Sequence, residues 1–273
     1  MKQRLTNLIL ILILVAGLSL LLYPTVSNWW NSLHQSRAIA SYAEAVNRTD
    51  PAVYREIREA AREYNETLVD RNDSRFEMTE QERSVYSRLL DPTGDQIMAV
   101  LEIPELHVTL PVFHGTGEAV LQTAVGHIEG TSLPVGGIGT HCALSGHRGL
   151  PSARLFTDLD RLAVGDPFLI HVMDETLTYE VDRISIVKPH ELQELSILPD
   201  QDYCTLVTCT PYGINSHRLL VRGVRVATAE EVKTVRVTAD AMRVDPLIVA
   251  PVLAVPILLL LFALTVFYDP KKK

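Results

Sequence analysis

The sequence predicts a mainly β domain, preceded by short helices and bracketed by an apolar, membrane-spanning segment at each end. Three observations carry this. Beyond Gly94 the chain breaks into short runs rich in β-branched residues: Ile97 to Ile103, Val108 to Phe113, Thr140 to Leu144, Phe168 to Met173, Leu177 to Val187, Tyr203 to Cys209 and Arg218 to Val226. Each is bounded by Gly, Pro or Asp, which predicts seven or eight strands. Before Gly94 the apolar residues recur at helical spacing. At the termini, Leu8 to Tyr23 and Leu247 to Tyr268 are almost uninterrupted apolar blocks.

The first block follows Lys2 and Arg4 and leads to Trp29 and Trp30 with no small-residue cleavage site after Tyr23, so residues 1–30 read as an uncleaved signal anchor. Residues 247–268 carry no charge, a length close to the ~20 residues that cross a hydrocarbon core. Asp269, Pro270 and Lys271 to Lys273 then form a basic tail over 269–273, a stop-transfer pattern. Lys and Arg on the outer flank of both segments place both termini in the cytoplasm, and everything between them outside.

Residues 31–94 read as a helical stalk. Asp50 and Pro51 supply an N-cap and a first-turn proline, and Tyr54, Ile57, Ala61, Tyr64 and Leu68 step by three and four along one helix face. Thr79 and Glu82 form a capping box before a second short helix, expected to end at Asp91 and Pro92. The β domain occupies 95–228, and a linker over 229–246 joins it to the C-terminal segment. Gly126 to Gly139 holds five glycines and a proline, too punctuated for regular structure, and reads as a loop.

The formal charge is −8, and without the terminal residues Lys2, Arg4, Asp269 and Lys271 to Lys273 there remain 20 basic and 32 acidic residues. An acidic domain lacks the basic footprint that phosphate backbones require, which argues against nucleic acid as a partner. No His-Glu-x-x-His or Cys-x-x-Cys spacing occurs and the glycines match no nucleotide fingerprint, so no metal and no cofactor are expected.

Three cysteines leave at least one thiol free. Cys204 and Cys209 lie five apart on one expected strand, so their side chains face opposite ways and do not pair with each other. A Cys142 to Cys204 bridge is possible on paper, but disulfide-built secreted domains carry many more cysteines, and the framework reads as held by its core.

Cys209 stands where a strand gives way to the turn Thr210, Pro211, Tyr212, Gly213, the placement a nucleophile needs. A lone cysteine is more often a small buried hydrophobe. As a nucleophile it needs a thiolate, hence a nearby acid-base group and a cation to stabilise negative charge. His147 lies in Gly146-His147-Arg148-Gly149, where flanking glycines admit a substrate. Spacing alone does not choose among His127, His141 and His147, nor among Arg148, Arg218 and Arg222. Arg218 and Arg222 share one strand face, and antiparallel pairing would bring Arg218 near Cys209.

Taken together, these residues resemble a family. Ile103-Pro104, Leu110-Pro111-Val112-Phe113-His114-Gly115-Thr116, Thr140-His141 through Gly146-His147-Arg148-Gly149-Leu150-Pro151, Leu155-Phe156-Thr157-Asp158-Leu159, and Thr205-Leu206-Val207-Thr208-Cys209 followed by Arg218 look like the sortases, specifically the pilus-assembling class C. The resemblance covers roughly residues 95 to 226.

It implies an eight-stranded β-barrel and a thiol transpeptidase anchored in the cell membrane of a Gram-positive bacterium. Cys209 would cleave an LPXTG-like signal of a pilin or surface protein between Thr and Gly, with His147 shuttling protons and Arg218 stabilising the oxyanion. Thr205 and Thr208 become candidate substrate-binding residues. The acyl acceptor would be a pilin lysine; a housekeeping enzyme would use cell-wall peptidoglycan, and an inactive relative would only bind. Many relatives carry a lid with an Asp-Pro-aromatic triplet. Here Asp73, Ser74, Arg75 and Phe76 stand in about that place without the proline, which makes Asp73 and Phe76 the lid candidates.

Overall fold

In a computed structural model that describes residues 2–228, the β domain is a closed eight-stranded barrel. Its strands are β1 (Ile97–Ile103), β2 (Val108–His114), β3 (Val125–His127), β4 (Thr140–Ser145), β5 (Pro167–Val172), β6 (Glu175–Val187), β7 (Asp202–Thr210) and β8 (His217–Val226). The order around the barrel is β1-β2-β3-β4-β7-β8-β6-β5. The β2/β3 and β4/β7 pairs are parallel and the others antiparallel. Closure leaves no free edge to recruit another chain.

Seven of the strands fall within a residue or two of the apolar runs. The eighth, β3, lies inside the glycine-rich stretch expected to be a loop; three residues are too few to show a period of two, and pairing with β2 and β4 holds them extended. Inside the barrel Phe168 stacks on Tyr179 at 5.6 Å, beside the fully buried Phe156, Leu144 and Leu206. Each such side chain contributes about 1.5–3 kcal/mol.

Helix α1 (Lys2–Arg48) is continuous past Pro24, and is the one helix among the described residues long and apolar enough to cross a membrane. Its portion from Asn31 onward belongs to the same compact unit as the barrel. Tyr42 fixes it there, donating to the Met98 carbonyl at 3.2 Å and accepting from Met173 N–H at 2.7 Å. The expected C-terminal membrane helix, its linker and basic tail lie outside the described residues.

Helix α2 (Pro51–Val69) begins as expected, with the Asp50 carboxylate accepting from Ala52 N–H at 2.7 Å. Tyr54, Ala61 and Leu68 are buried, joined by Asn65, whose amide exchanges two hydrogen bonds with the backbone of Leu133. Helix α3 (Glu80–Tyr86) opens on the Thr79–Glu82 capping box. It ends earlier than expected. Buried Tyr86 is tethered to Gly115 and His127 through its hydroxyl, and turns carry the chain to Leu90, whose φ is +52°.

Candidate functional site

Strand alternation sorts the side chains of β7. Cys204 and Leu206 point into the main core, whereas Val207 joins Ala143, Leu195 and Leu220 in a separate apolar cluster on the outer face. Cys209 shares the face of Val207 and is half-buried. On β8 the same rule puts Arg218 and Arg222 on the face of Leu220. Cys209 and Arg218 are directly opposite each other in the β7/β8 register. Side chains so paired start only ~5 Å apart.

His147 reaches the same place from the other side of β7. In the parallel β4/β7 ladder Ser145 partners Val207, and the match continues past the end of β4: Gly146 N–H donates to Val207 O at 3.1 Å, and the Thr208 hydroxyl donates to Gly146 O at 2.7 Å. Carried one residue further, the same offset sets His147 level with Cys209. The His147 carbonyl accepts from Phe156 N–H at 3.1 Å, which ties the loop back onto a core ring.

The competing candidates are otherwise engaged. His127 is fully buried between Tyr86 and Ser132. His141, 1% exposed, bonds Thr205 Oγ1 at 2.7 Å and Ser196 O at 2.9 Å, and burial lowers its pKa to about 4, so it stays neutral. Arg148 pairs with Asp160 and Arg222 with Asp182. Arg218 donates to two backbone carbonyls, Asn215 O at 3.2 Å and His217 O at 3.0 Å, and no carboxylate among the described residues pairs with it.

Of the two substrate-binding candidates, Thr208 is buried with its hydroxyl on Gly146, and Thr205 is buried against His141. Neither presents a free hydroxyl to the outer face in this state. At the lid position, residues Asn72–Phe76 form a 3-10 turn. Phe76 packs on the Ala143, Leu195, Val207 and Leu220 cluster, directly on the face that carries Cys209. The side chain of Asp73 lies outside the described residues.

The deepest anchor of this turn is Arg75, which sequence reasoning passed over. It is 3% exposed, donates to Leu195 O at 2.8 Å and lies 4.7 Å over the Phe76 ring. Gly130 makes this seating possible, since a Cβ there would stand 2.4 Å from the Arg75 carbonyl oxygen, at a φ of +84° that favours glycine. A hint was available: an arginine beside an aromatic residue in an otherwise polar segment.

Residues 101–226 match the family model of the sortase domain. Sortase C1 from Streptococcus agalactiae superposes with a TM-score of 0.67 at 50% identity, over 71% of this chain and 100% of that one. The chain belongs to the sortase family. Sortase C-1 from Streptococcus pneumoniae matches this sortase at 40% identity, over 71% of this chain and all of the other, with a TM-score of 0.63. Sortase D from Bacillus subtilis is 28% identical over 138 residues, which span 50% of this chain and 67% of that protein. This sortase is thus a cysteine transpeptidase with close structural relatives among the C1 enzymes.

Among the described residues no three His, Cys, Asp or Glu side chains are arranged to hold a metal ion.

Proposed function

We propose that this sortase assembles pili, with Cys209 as nucleophile, His147 as proton shuttle and Arg218 as oxyanion donor. The observation that supports these roles above all is the register: Cys209 faces Arg218 across β7/β8, while β4 brings His147 level with Cys209 from the other side. The Cys209 thiolate attacks the carbonyl of the Thr-Gly bond in an LPXTG-like signal. Negative charge gathers on the oxygen and is met by the Arg218 guanidinium. The C–N bond breaks as His147 protonates the leaving glycine amine, and a thioester remains on Cys209. A pilin lysine then attacks, gives its proton to His147 and releases the thiolate.

Thr208 serves this chemistry by pinning the Gly146 carbonyl, and so the His147 loop, to β7. Thr205 acts through His141, which grips the loop between β6 and β7 at Ser196. Both termini lie in the cytoplasm of a Gram-positive cell and the barrel lies outside, with α1 as the N-terminal anchor and residues 247–268 as the second.

The test is direct. The full-length protein in detergent, given an LPXTG peptide, should gain the mass of the acyl group on Cys209, and added pilin fragment with a reactive lysine should discharge it as a ligated product. Folded protein that forms no adduct would overturn the reading. Preferential transfer to a cell-wall peptide would instead mark a housekeeping enzyme.

The turn at Asn72–Phe76 is the lid in this scheme, held by Arg75 and Phe76. Losing one buried charged hydrogen bond costs about 1.5–3 kcal/mol, so Arg75→Ala should raise the rate at which iodoacetamide alkylates Cys209 by roughly tenfold or more. An unchanged rate would remove the turn from access control.

A further inference from the structure

Two cysteines have no part in this chemistry, and the fold sets them side by side. Cys142 and Cys204 are direct partners in the parallel β4/β7 ladder and both face the barrel interior, 3% and 0% exposed. Both are free thiols in this structure. Adjacent strands lie ~4.8 Å apart. That spacing falls inside the roughly 4.4–6.8 Å between Cα atoms that a disulfide spans. In a parallel pair, residues opposite each other also point their Cβ atoms the same way.

We propose that Cys142 and Cys204 close an intramolecular disulfide inside the barrel, which staples the strand leading to His147 to the strand carrying Cys209. The inference rests on the extracytoplasmic placement of the barrel, since disulfides persist there. The pairing is also selective. Cys209 lies on the opposite face of β7, so oxidation of the interior pair consumes both structural thiols and leaves the nucleophile as the single free one.

The oxidant is a small disulfide or a thiol-disulfide oxidoreductase that meets the chain before the barrel closes. The Cys142 thiolate attacks one sulfur of that disulfide, and the first thiolate leaves. Cys204 then attacks the Cys142 sulfur and expels the second. Two cysteine thiols are oxidised to one S–S bond, one external disulfide is reduced to two thiols, and these carry away both protons.

Such a bond closes a loop of ~60 residues that holds the His147 segment, β5 and β6, and should raise the melting temperature on the order of 10 °C. The full-length protein is unfolded in urea with oxidised glutathione, refolded in detergent, alkylated and digested without reductant. The expected result is one peptide pair joining Cys142 to Cys204, an alkylated Cys209, and a melting temperature that drops by about that margin on reduction. Cys204→Ala should show neither the pair nor the drop.

Alkylation of all three cysteines, glutathione retained on Cys142 without the linked pair, or a dominant pair containing Cys209 would each overturn the proposal. The same digest on membranes alkylated in intact cells tests the compartment. A bridge that forms on refolding but is absent there would sink the extracytoplasmic placement, and with it the bridge in the living protein. Loss of transpeptidation activity enters none of these readouts.

Discussion

Cys209→Ala is expected to abolish both acyl-enzyme and ligated product, a fall in kcat/KM on the order of 10⁴-fold or more. No other thiol can take over. Cys142 and Cys204 are sealed in the core on the far side of the β4/β7 ladder, and the hydroxyls of Thr205 and Thr208 are committed to His141 and Gly146. The folded state should hardly notice: Cys209 is half-buried at the end of its strand, and no packed cluster depends on its sulfur. The melting temperature should therefore stay within about 2 °C of wild type, as for a surface change worth ±0.5 kcal/mol. Mass spectrometry of the variant with an LPXTG peptide checks the first statement and thermal unfolding the second. Residual ligation above about 1% of wild type would mean that the nucleophile lies elsewhere.

The contrast between what the chain announced and what it concealed follows contact range. The Asp50 cap, the Thr79–Glu82 box and seven of the eight strands depend on residues within a turn of one another, and all are present in the fold. The pairing of β4 with β7 joins segments some sixty positions apart in parallel. No periodicity reports such a contact. So Cys209 and Arg218, on consecutive antiparallel strands, could be brought together by reasoning from the chain, but His147 could be chosen over His127 and His141 only by family resemblance. In the barrel His127 and His141 are buried and hydrogen-bonded. For the same reason Arg75 was not singled out as the anchor of its turn: its partner, Leu195 O, is 120 residues away.

Gly146→Ala is expected to cost about 100-fold in kcat/KM without touching any reacting group. An added Cβ would stand 2.7 Å from Cδ2 and 2.8 Å from Cγ of Phe156. Something has to shift, and the ring is the less able to do so, being fully buried in the main core. Overpacking of this kind costs ~1–3 kcal/mol. The backbone of Gly146 is fastened to β7 by its N–H on Val207 and its carbonyl on Thr208, while the next residue, His147, holds Phe156 N–H. Relief therefore comes through the His147 loop, and a displacement of ~1 Å there is enough for the rate loss. Cys209 stays where it is, so iodoacetamide should alkylate it at a rate close to wild type while acylation by the LPXTG peptide slows. A second change, Phe156→Leu, removes the ring atoms that clash and should recover part of the lost rate. Failure of that rescue, with both variants folded, would show that Gly146 is needed for direct approach of the substrate rather than for the placement of His147.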